Sequence, residues 1–422
     1  MKNKISQAVI TLGGKGTRLE SISHGIPKPL IIINGESTLE RAIKNLSNQG
    51  INEFIWLLHY KKEFFLKQSS ILSEKYFVKI FCFEEKVPLG DAGGLLKVLA
   101  NLKKDFVFLS GDLIFDFDLE RMICFHKYNN SDITLCTHTT THPEDSDCIV
   151  ESPSKEIIEF SQKFDKEKLK NAFLGNTGIA IIKKKVIEYI SSENSSLNNL
   201  KLSFFSGIAI YATRNNFRVL SYNTSEYIKD MGTPARILDV KYDLNKKVVE
   251  NKSYLKTQKA LFLDRDNTII HCPENKYINK IKEIKILAKN VEIFSEISRS
   301  YDLVVIISNQ PQIAMGMIDM QSVINLNGYL VKECLNYDLL ISCFYFCPHH
   351  IDSGYKNEIS ALKYSCFCRK PSPGLFLRAA FERNIDLKSS LMIGDSWRDE
   401  QSAKNLEMEF INVNRLKKSQ NF

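Results

Sequence analysis

Long apolar runs are missing from this chain of 422 residues. Because no stretch of about 18 or more apolar residues occurs, we do not expect a membrane-spanning helix or a membrane partner. The first residues, Met1–Ser6, lead directly into the strand-like Ala8–Ile10 without the apolar region of a signal peptide. We therefore expect a cytoplasmic protein.

Dense basic blocks with interleaved aromatic residues are also missing, although the formal net charge is +8. Nucleic-acid binding is therefore not expected. The excess lysine indicates either a solvated surface or a weak field that favours phosphorylated substrates. The 10 cysteines are not those of a secreted disulfide framework, since the chain is long and has no secretory signal. The sequence does not specify an oligomeric state.

Strand-like apolar runs alternate with helix-like patterns on both sides of a polar, lysine-rich stretch. This alternation predicts an α/β fold of two domains, each a three-layer α/β sandwich with a mainly parallel sheet. We place the first domain at residues 1–244, a linker at 245–258 and the second domain at 259–422. The expected strands are Gln7–Leu12, Phe54–Leu58, Val78–Phe83, Phe106–Ser110, Ile133–Thr137, Leu261–Leu263, Leu303–Ile307, Ile341–Phe346 and Leu391–Ile393. The expected helices are Thr38–Gln49, Ala92–Leu102, Asp118–Asn129 and Val291–Arg299.

A glycine-rich loop follows the first strand, Leu12-Gly13-Gly14-Lys15-Gly16-Thr17-Arg18-Leu19, and Pro27-Lys28-Pro29-Leu30 comes soon after. Glycine lets a backbone approach a ligand closely, and exposed N–H groups with nearby cations suit phosphate oxygens. We therefore predict a nucleotide-phosphate site in which Arg18 and Lys28 are catalytic. The predicted nucleotide contacts in the loop are Gly13, Gly14, Gly16 and Thr17.

These segments, together with later ones, resemble the sugar-1-phosphate nucleotidyltransferases over about residues 7–240. The later segments are Pro88–Gly94, Ser110–Asp112, Gly175–Ile179 and Asp230–Pro234. The resemblance implies a Rossmann-like domain in which a sugar phosphate attacks the α-phosphorus of a nucleotide. It also implies that Asp112 and Asp230 are ligands of Mg2+, which prefers carboxylate oxygens.

The same resemblance assigns the remaining contacts of this site. It implies that Gly90 lies in the loop that binds base and sugar and that Asn176 contacts the sugar. Lys163 is assigned to the sugar phosphate, although the Glu-Lys-Pro of the family is replaced here by Gln162-Lys163-Phe164. Leu12 stands where the family usually has alanine beside the base, which leaves the base preference open.

A pair of aspartates, Asp264 and Asp266, ends the apolar strand of the second domain. One carboxylate can attack phosphorus, while the other protonates the leaving oxygen and then activates water. Three further elements follow in order: Ser308 and Asn309 at a strand end, Arg369 and Lys370 in Cys-Arg-Lys-Pro, and Asp395 after another strand.

This set resembles the haloacid dehalogenase-like (HAD-like) phosphatases over about residues 259–413, which implies a Rossmannoid fold. The resemblance implies that Asp264, Asp266 and Asp395 hold Mg2+ and that Ser308, Asn309, Arg369 and Lys370 contact substrate. Asn267 stands where the family has glycine, and asparagine tolerates the left-handed backbone expected there.

Four residues in two close pairs, Cys347 with His349 and Cys366 with Cys368, suit a tetrahedral Zn2+. His350 competes with His349 as the fourth ligand. With Cys-Arg-Lys-Pro, the loop resembles that of heptose 1,7-bisphosphate phosphatases, in which such zinc is structural. Histidinol-phosphate phosphatases have a similar loop.

The two resemblances together imply a bifunctional enzyme. It would remove the 7-phosphate of D-glycero-D-manno-heptose 1,7-bisphosphate and join the heptose 1-phosphate to a nucleotide, with GTP and the α-anomer favoured. The product would be GDP-heptose for surface glycans such as lipopolysaccharide. One alternative is a hexose-1-phosphate nucleotidyltransferase fused to a histidinol-phosphatase-like domain. Another is that one domain is inactive and regulatory, against which the retained Arg18, Lys28, Asp112, Asp264 and Asp266 argue.

Overall fold

The computed structural model describes residues 4–14, 16–19, 25–163, 172–193, 201–274 and 276–416. It divides the chain into two compact units. The first unit comprises Met1–Thr137, Lys155–Gln162 and Asn176–Tyr254, and the second comprises His138–Ser154, Lys163–Gly175 and Leu255–Phe422. The boundary after Tyr254 lies inside the stretch predicted as a linker. The second unit also takes in two segments that precede this stretch in the sequence.

Strands and helices alternate along the described residues, which confirms the predicted α/β class. The strands are β1 Gln7–Thr11, β2 Ile32–Ile33, β3 Glu36–Ser37, β4 Glu53–Leu58, β5 Lys79–Glu84, β6 Asp105–Ser110, β7 Leu113–Asp116, β8 Ile133–Thr139, β9 Cys148–Glu151, β10 Ile157–Ser161, β11 Leu174–Lys183, β12 Val219–Asn223, β13 Tyr227–Asp230, β14 Ala260–Leu263, β15 Leu303–Asn309, β16 Cys343–Cys347, β17 Leu391–Gly394 and β18 Glu409–Asn412. The α-helices are α1 Thr38–Asn48, α2 Lys62–Tyr76, α3 Gly94–Lys97, α4 Leu119–Tyr128, α5 Lys184–Glu193, α6 Ile210–Arg214, α7 Pro234–Asn245, α8 Val248–Asn251, α9 Ala288–Ser298, α10 Met320–Leu335, α11 Gly374–Arg383, α12 Trp397–Asn405 and α13 Val413–Leu416. Within the described ranges, no helix has both the length and the hydropathy needed to cross a membrane.

The sheet of the first unit is built around β1, which pairs in parallel with β4 on one side and β6 on the other. Strand β5 extends the parallel part beyond β4, whereas β11 joins β6 in the antiparallel direction. Ala8, Val9 and Ile10 in β1 are fully buried, because a central parallel strand is covered on both faces. The glycine-rich loop therefore leaves the sheet from its most buried strand.

Local sequence explains where the helices of this unit begin. Ser37 caps α1 by accepting a hydrogen bond from the N–H of Glu40, and Leu39, Ile43 and Leu46 bury one face of the helix. The single helix predicted over Ala92–Leu102 is wrong. The chain forms only the short α3 and then a 3-10 turn over Leu99–Asn101. The helix starts later than predicted because Gly93 and Gly94 have low helix propensity. The N–H of Ala92 bonds to the carbonyl of Leu202.

The second unit contains a five-stranded sheet in the order β16-β15-β14-β17-β18, and all its paired strands are parallel. The residues of β14, Ala260–Leu263, are fully buried. The carboxyl ends of β14, β15 and β17 lie side by side, which is where open α/β sheets bind their ligands. Asp264, Ser308 and Asp395 are therefore brought to one edge of the sheet.

Gly316 is held against the backbone of the loop that precedes Cys366, and this contact gives a prediction for stability. Its φ is +69°, and a Cβ added there would lie 1.6 Å from the carbonyl oxygen of Asn357. We expect Gly316→Ala to lower the free energy of unfolding by about 1–3 kcal/mol or more, because the backbone must shift. Calorimetric unfolding of the full chain would measure the change.

A matched control is Gly354→Ala, since Gly354 also has positive φ, +105°, but nothing within 4 Å of the added Cβ. Gly316→Ala should lower the midpoint temperature by more than the control does. Equal effects would show that the close approach to Asn357 does not limit stability.

Candidate active sites

The Lys28 ammonium contacts the Asp112 carboxylate in the first unit, and both side chains are largely buried. Lys28 opens a 3-10 turn, whereas Asp112 follows the end of β6, where Ser110 Oγ also donates to Asp112 Oδ1 at 2.6 Å. Burial alone would raise the pKa of Asp112. The charge of Lys28 and the two hydrogen bonds outweigh burial, so the pKa is lowered. Asp112 is therefore ionised at neutral pH, as a metal ligand must be.

Asp230 ends β13, which runs antiparallel to β7 so that Asp230 lies opposite Leu113. The N–H of Met231 donates to the carbonyl of Asp112 at 3.1 Å. Arg236 Nη1 lies 2.9 Å from both oxygens of Asp230. The structure thus places the two predicted Mg2+ ligands at the same end of the antiparallel pair of β7 and β13, and each carboxylate is paired with a cation.

The glycine-rich loop lies beside this pair. A Cβ on Gly16 would be 3.6 Å from Lys28 Cβ, which places the loop next to the lysine that was predicted to be catalytic. Arg18 lies in the 3-10 turn Thr17–Leu19 and is exposed, whereas Gly13 is half-buried and Gly14 is exposed. Lys15 lies outside the described residues. Arg18 therefore presents an exposed cation beside the loop.

The predicted base and sugar contacts lie in two further segments. Gly90 has a φ of +85°, and a Cβ there would lie 2.3 Å from the carbonyl oxygen of Leu202, so only glycine fits this turn. Asn176 is half-buried in β11 and accepts from the N–H of Gly178 at 3.2 Å. Lys163 has an exposed side chain and belongs to the second unit, while the following Phe164 lies outside the described residues.

One carboxylate of the first unit was not assigned from the sequence. Glu85 Oε2 accepts from the N–H of Leu89 at 3.2 Å, and Oε1 would lie 2.6 Å from a Cβ on Gly94. Its Oε2 would lie 3.9 Å from a Cβ on Gly13. Burial raises the pKa of Glu85. Glu85 therefore stands between the glycine-rich loop and the loop Pro88–Gly94.

Lys370 is the centre of the second unit's site. Its buried ammonium donates to Asp264 Oδ1 at 2.7 Å, to Asp399 Oδ1 at 2.6 Å and to the carbonyl of Ile307 at 2.9 Å. Burial would lower the pKa of Lys370, but the two carboxylates outweigh burial and raise it. Burial, assisted by the charges of Asp399 and Asp266, raises the pKa of Asp264 to about 7 in spite of Lys370.

Three carboxylates, those of Asp264, Asp395 and Asp399, present oxygens within 4.8 Å of one another. This oxygen set suits a hard divalent cation. Burial raises the pKa of Asp395 as well, so a cation at this position would relieve the accumulated negative charge. The sequence resemblance implied Asp264, Asp266 and Asp395 as the Mg2+ ligands. In the structure, Asp399 takes the place of Asp266 in the group of neighbouring carboxylates.

Asp266 is held away from this carboxylate group by side chains around it. The buried Arg265 guanidinium bonds both oxygens of Asp266, with Nη2 at 3.0 and 3.1 Å. Gln310 Nε2 donates to Asp266 Oδ2 at 3.0 Å and to Ser308 Oγ at 2.6 Å. The predicted acid and the predicted phosphate-binding hydroxyl are therefore joined through Gln310.

The remaining predicted residues of this site lie around Lys370. Asn309 Oδ1 accepts from the N–H of Lys370 at 3.0 Å, and Asn309 Nδ2 donates to its carbonyl at 3.1 Å. Arg369 Nη1 donates to the carbonyl of His349 at 3.2 Å. Asn267 has a φ of +57°, so the expectation of a left-handed backbone at this position is confirmed.

Cys347, His349, Cys366 and Cys368 form a second metal-capable group, with ligand atoms within 4.8 Å of one another. The Sγ–Sγ distances are 3.3, 3.3 and 3.5 Å, and His349 Nδ1 lies 3.1 Å from Cys368 Sγ. Hydrogen bonding to Cys347 lowers the pKa of Cys368 to about 5. Three sulfurs and one imidazole at these distances fit tetrahedral Zn2+. His350 is not in the group, and its Nδ1 accepts a hydrogen bond from the N–H of Asp352 instead.

Sequence reasoning did not assign Asp399, Gln310 or Glu85. Asp399 forms a capping box with Ser396 at the start of α12, and this pattern alone indicates only a helix start. Its contact with Lys370 depends on a partner 29 positions away in the chain. Gln310 directly follows Ser308-Asn309 and could have been included by its proximity in sequence.

Comparisons with known proteins confirm both resemblances. The nucleotidyl transferase family model matches residues 7–247 and the HAD-hydrolase-like model matches residues 367–420.

A D-glycero-beta-D-manno-heptose-1,7-bisphosphate 7-phosphatase of Photorhabdus laumondii is 33% identical over 144 residues, which are 34% of this chain and 73% of the relative. A D-glycero-alpha-D-manno-heptose 1-phosphate guanylyltransferase of Campylobacter jejuni is 34% identical over 184 residues, 43% of this chain and 77% of the relative. The inositol-1-phosphate CTP transferase structure from T. maritima, at 18% identity and a TM-score of 0.50, covers 59% of this chain and 98% of that one and supports the fold alone.

Lys370 gives a prediction for stability as well as chemistry. In Lys370→Ala, Asp264 and Asp399 remain buried without their cation. We therefore expect the free energy of unfolding to fall by about 3–5 kcal/mol at pH 8. Below about pH 7 Asp264 binds a proton, which removes one of the two charges, so the loss should shrink at pH 5. Hydrogen exchange of peptides from β14 and β17 would measure it.

Lys388→Ala is the matched control, because Lys388 pairs with Glu407 on the surface of the same unit. It should leave the exchange of β14 and β17 unchanged. If Lys370→Ala also leaves this exchange unchanged, Lys370 does not stabilise the buried carboxylates.

Proposed function

Because the chain belongs to the nucleotidyl transferase family through residues 7–247 and to the HAD-like phosphatases through its second unit, we propose that it catalyses two steps of activated-heptose synthesis. The second unit removes the 7-phosphate of D-glycero-D-manno-heptose 1,7-bisphosphate. The first unit transfers GMP from GTP to the heptose 1-phosphate and releases pyrophosphate. The observation that carries the proposal is the presence in one chain of the Lys370-centred aspartates and of the Lys28–Asp112 pair beside a glycine-rich loop.

The phosphatase step follows from the geometry around Lys370. Asp264 attacks the phosphorus of the 7-phosphate, and the sugar oxygen leaves with a proton from Asp266. Asp266 then takes a proton from a water molecule that attacks the phosphorylated Asp264, which releases inorganic phosphate and restores both carboxyl groups. Lys370 and Asn309 hold the strand ends in position, and Ser308 and Arg369 face the phosphoryl oxygens. Asp264, Asp395 and Asp399 would hold Mg2+, which neutralises phosphate charge when bound.

The transfer step depends on positioning and charge. The glycine-rich loop and Arg18 bind the triphosphate, and Lys28 stabilises the negative charge that develops at the α-phosphate. Asp112 and Asp230 would hold Mg2+. Asn176 orients the sugar. The oxygen of the heptose 1-phosphate attacks, and pyrophosphate leaves.

The relatives differ in the anomer that their names carry. The phosphatase relative is named for the β-anomer, whereas the guanylyltransferase relative is named for the α-anomer. A chain that passes its phosphatase product to its own transferase needs one anomer for both steps. We assign the α-anomer, because the transferase must bond to the anomeric phosphate itself.

Glu85 supports the choice of GTP. A carboxylate only accepts hydrogen bonds, and the guanine edge offers the donors N1–H and N2–H. Uracil, cytosine and adenine do not present this pair of donors. Glu85 lies beside both loops that are assigned to the nucleotide.

The zinc, the cell compartment and the product's use complete the proposal. Cys347, His349, Cys366 and Cys368 hold a structural Zn2+ that fixes the loop before Arg369. A cytoplasmic location gives access to nucleoside triphosphates. The GDP-heptose serves surface glycans such as lipopolysaccharide.

The test is incubation of the full chain with each anomer of heptose 1,7-bisphosphate and with each nucleoside triphosphate, reading phosphate and pyrophosphate separately. We expect phosphate release from the α-anomer without nucleotide, and pyrophosphate release when GTP is added. Preference for hexose 1-phosphates or histidinol phosphate would favour the alternative fusion. The loss of one activity with all substrates would favour an inactive domain.

Two substitutions should separate the activities. Asp264→Asn removes the nucleophile and should abolish phosphate release while sparing pyrophosphate formation from the heptose 1-phosphate. Asp112→Ala removes a metal ligand and should lower nucleotidyl transfer by about 100-fold or more while sparing phosphate release. Each variant is the control for the other. Loss of both activities in either folded variant would contradict separate sites.

Glu85→Gln should weaken the preference for GTP. The amide oxygen can still accept from the N–H of Leu89, but the other carboxylate oxygen is replaced by an NH2 group, which donates and cannot accept from the guanine. We expect kcat/KM for GTP to fall about 10- to 100-fold, as for a lost hydrogen bond to a charged group, with other triphosphates unchanged. Glu84→Gln is the matched control, since Glu84 pairs with Lys62 at the surface. An unchanged ratio of GTP to UTP in Glu85→Gln would exclude Glu85 from base selection.

A further inference from the structure

The second nitrogen of the His349 ring has a partner that no sequence pattern indicates. His349 Nδ1 faces the three thiols, whereas its Nε2 lies 2.7 Å from the hydroxyl of Tyr364. The two rings also pack, with centroids 4.5 Å apart and planes at 51°. Tyr364 thus contacts the imidazole by both its ring and its hydroxyl, from within the loop that ends at Cys366.

The chemistry of the imidazole fixes the direction of this hydrogen bond when a metal is bound. A nitrogen that binds a cation must be unprotonated, so Nδ1 can face the thiols as a ligand only if the proton is on Nε2. Nε2–H then donates to Tyr364 Oη. A partner on the outer nitrogen fixes the tautomer and the ring orientation of a ligand histidine.

The neighbouring histidine provides an internal comparison. His350 also packs against a tyrosine, since its ring lies 6.3 Å from that of Tyr355. His350 is not among the metal-capable group, and its Nδ1 accepts a backbone N–H instead. Of the two adjacent histidines, the one whose Nε2 meets a phenol is the one whose Nδ1 faces the thiols.

We propose that Tyr364 is a positioning residue of the Cys3His centre, which selects the His349 tautomer that binds Zn2+ through Nδ1. This role rests on the proposed zinc centre and extends it to a residue outside the ligand set. The backbone carbonyl of His349 accepts from Arg369 Nη1 at 3.2 Å, so the ligand residue and a predicted substrate contact are direct neighbours.

The experiment compares three full-length proteins: wild type, Tyr364→Phe and Tyr355→Phe. Tyr364→Phe keeps the ring that packs on His349 and removes only the hydroxyl. Metal content by elemental analysis and zinc affinity by competition with a chromogenic chelator are measured on each. We expect about one zinc per chain in wild type and a zinc Kd about 10-fold higher in Tyr364→Phe, as is typical when an outer partner of a ligand is lost.

Tyr355→Phe is the matched control, because its ring lies against His350 and not against a ligand. Its zinc affinity should equal that of wild type, and pyrophosphate formation should be unchanged in both variants. An unchanged zinc affinity in Tyr364→Phe, with zinc present in wild type, would overturn the role of Tyr364 and leave the zinc centre intact. A wild-type chain that binds no zinc would overturn both.

Discussion

The ammonium group of Lys370 lies between two buried carboxylates, and the second unit's site depends on this arrangement. Asp264 comes from the end of β14 and Asp399 from the first turn of α12, so the lysine joins two elements that are distant in the chain. Without a cation, two carboxylates at this depth would repel each other and lose their hydration. The same ammonium also bonds the carbonyl of Ile307 in β15. One side chain therefore links Asp264, the start of α12 and strand β15.

Lys370 is itself positioned by the loop that precedes it. Its backbone exchanges two hydrogen bonds with Asn309, and Asn309 lies opposite Cys347 in the parallel pair of β15 and β16. Cys347 belongs to the thiol and imidazole group, and Cys368 of that group lies two residues before Lys370. The metal-capable group and Lys370 are thus joined through one short, hydrogen-bonded segment. The first unit uses a related device, in which Lys28 and Arg236 each neutralise one of the two aspartates.

The sequence was sufficient to predict features that depend on local pattern. Buried strands are recognisable as apolar runs, and the predicted site residues Asp112, Asp264 and Asp395 lie within two residues of the ends of three such strands. The left-handed backbone at Asn267 also followed from its position in the motif. Features that depend on distant partners could not be predicted. In the sequence, Asp399 has the pattern of a helix cap, and nothing distinguishes Glu85 or Tyr364 from other acidic or aromatic residues. Their roles become visible only from the contacts in the folded structure. The same holds for the segments His138–Ser154 and Lys163–Gly175, whose membership in the second unit depends on tertiary contacts.

The loop from His349 to Tyr364 has a further consequence for how such an enzyme diversifies. Both ends of this loop are fixed at the thiol and imidazole group, through His349 itself and through the bond from Tyr364. The entropic cost of closing a loop grows only slowly with its length. Residues between the two ends can therefore change in number and type at a small entropic cost, except near Asn357, where the loop packs against Gly316. Variation in such a loop can accumulate on either side of this contact while the group that fixes its ends is kept.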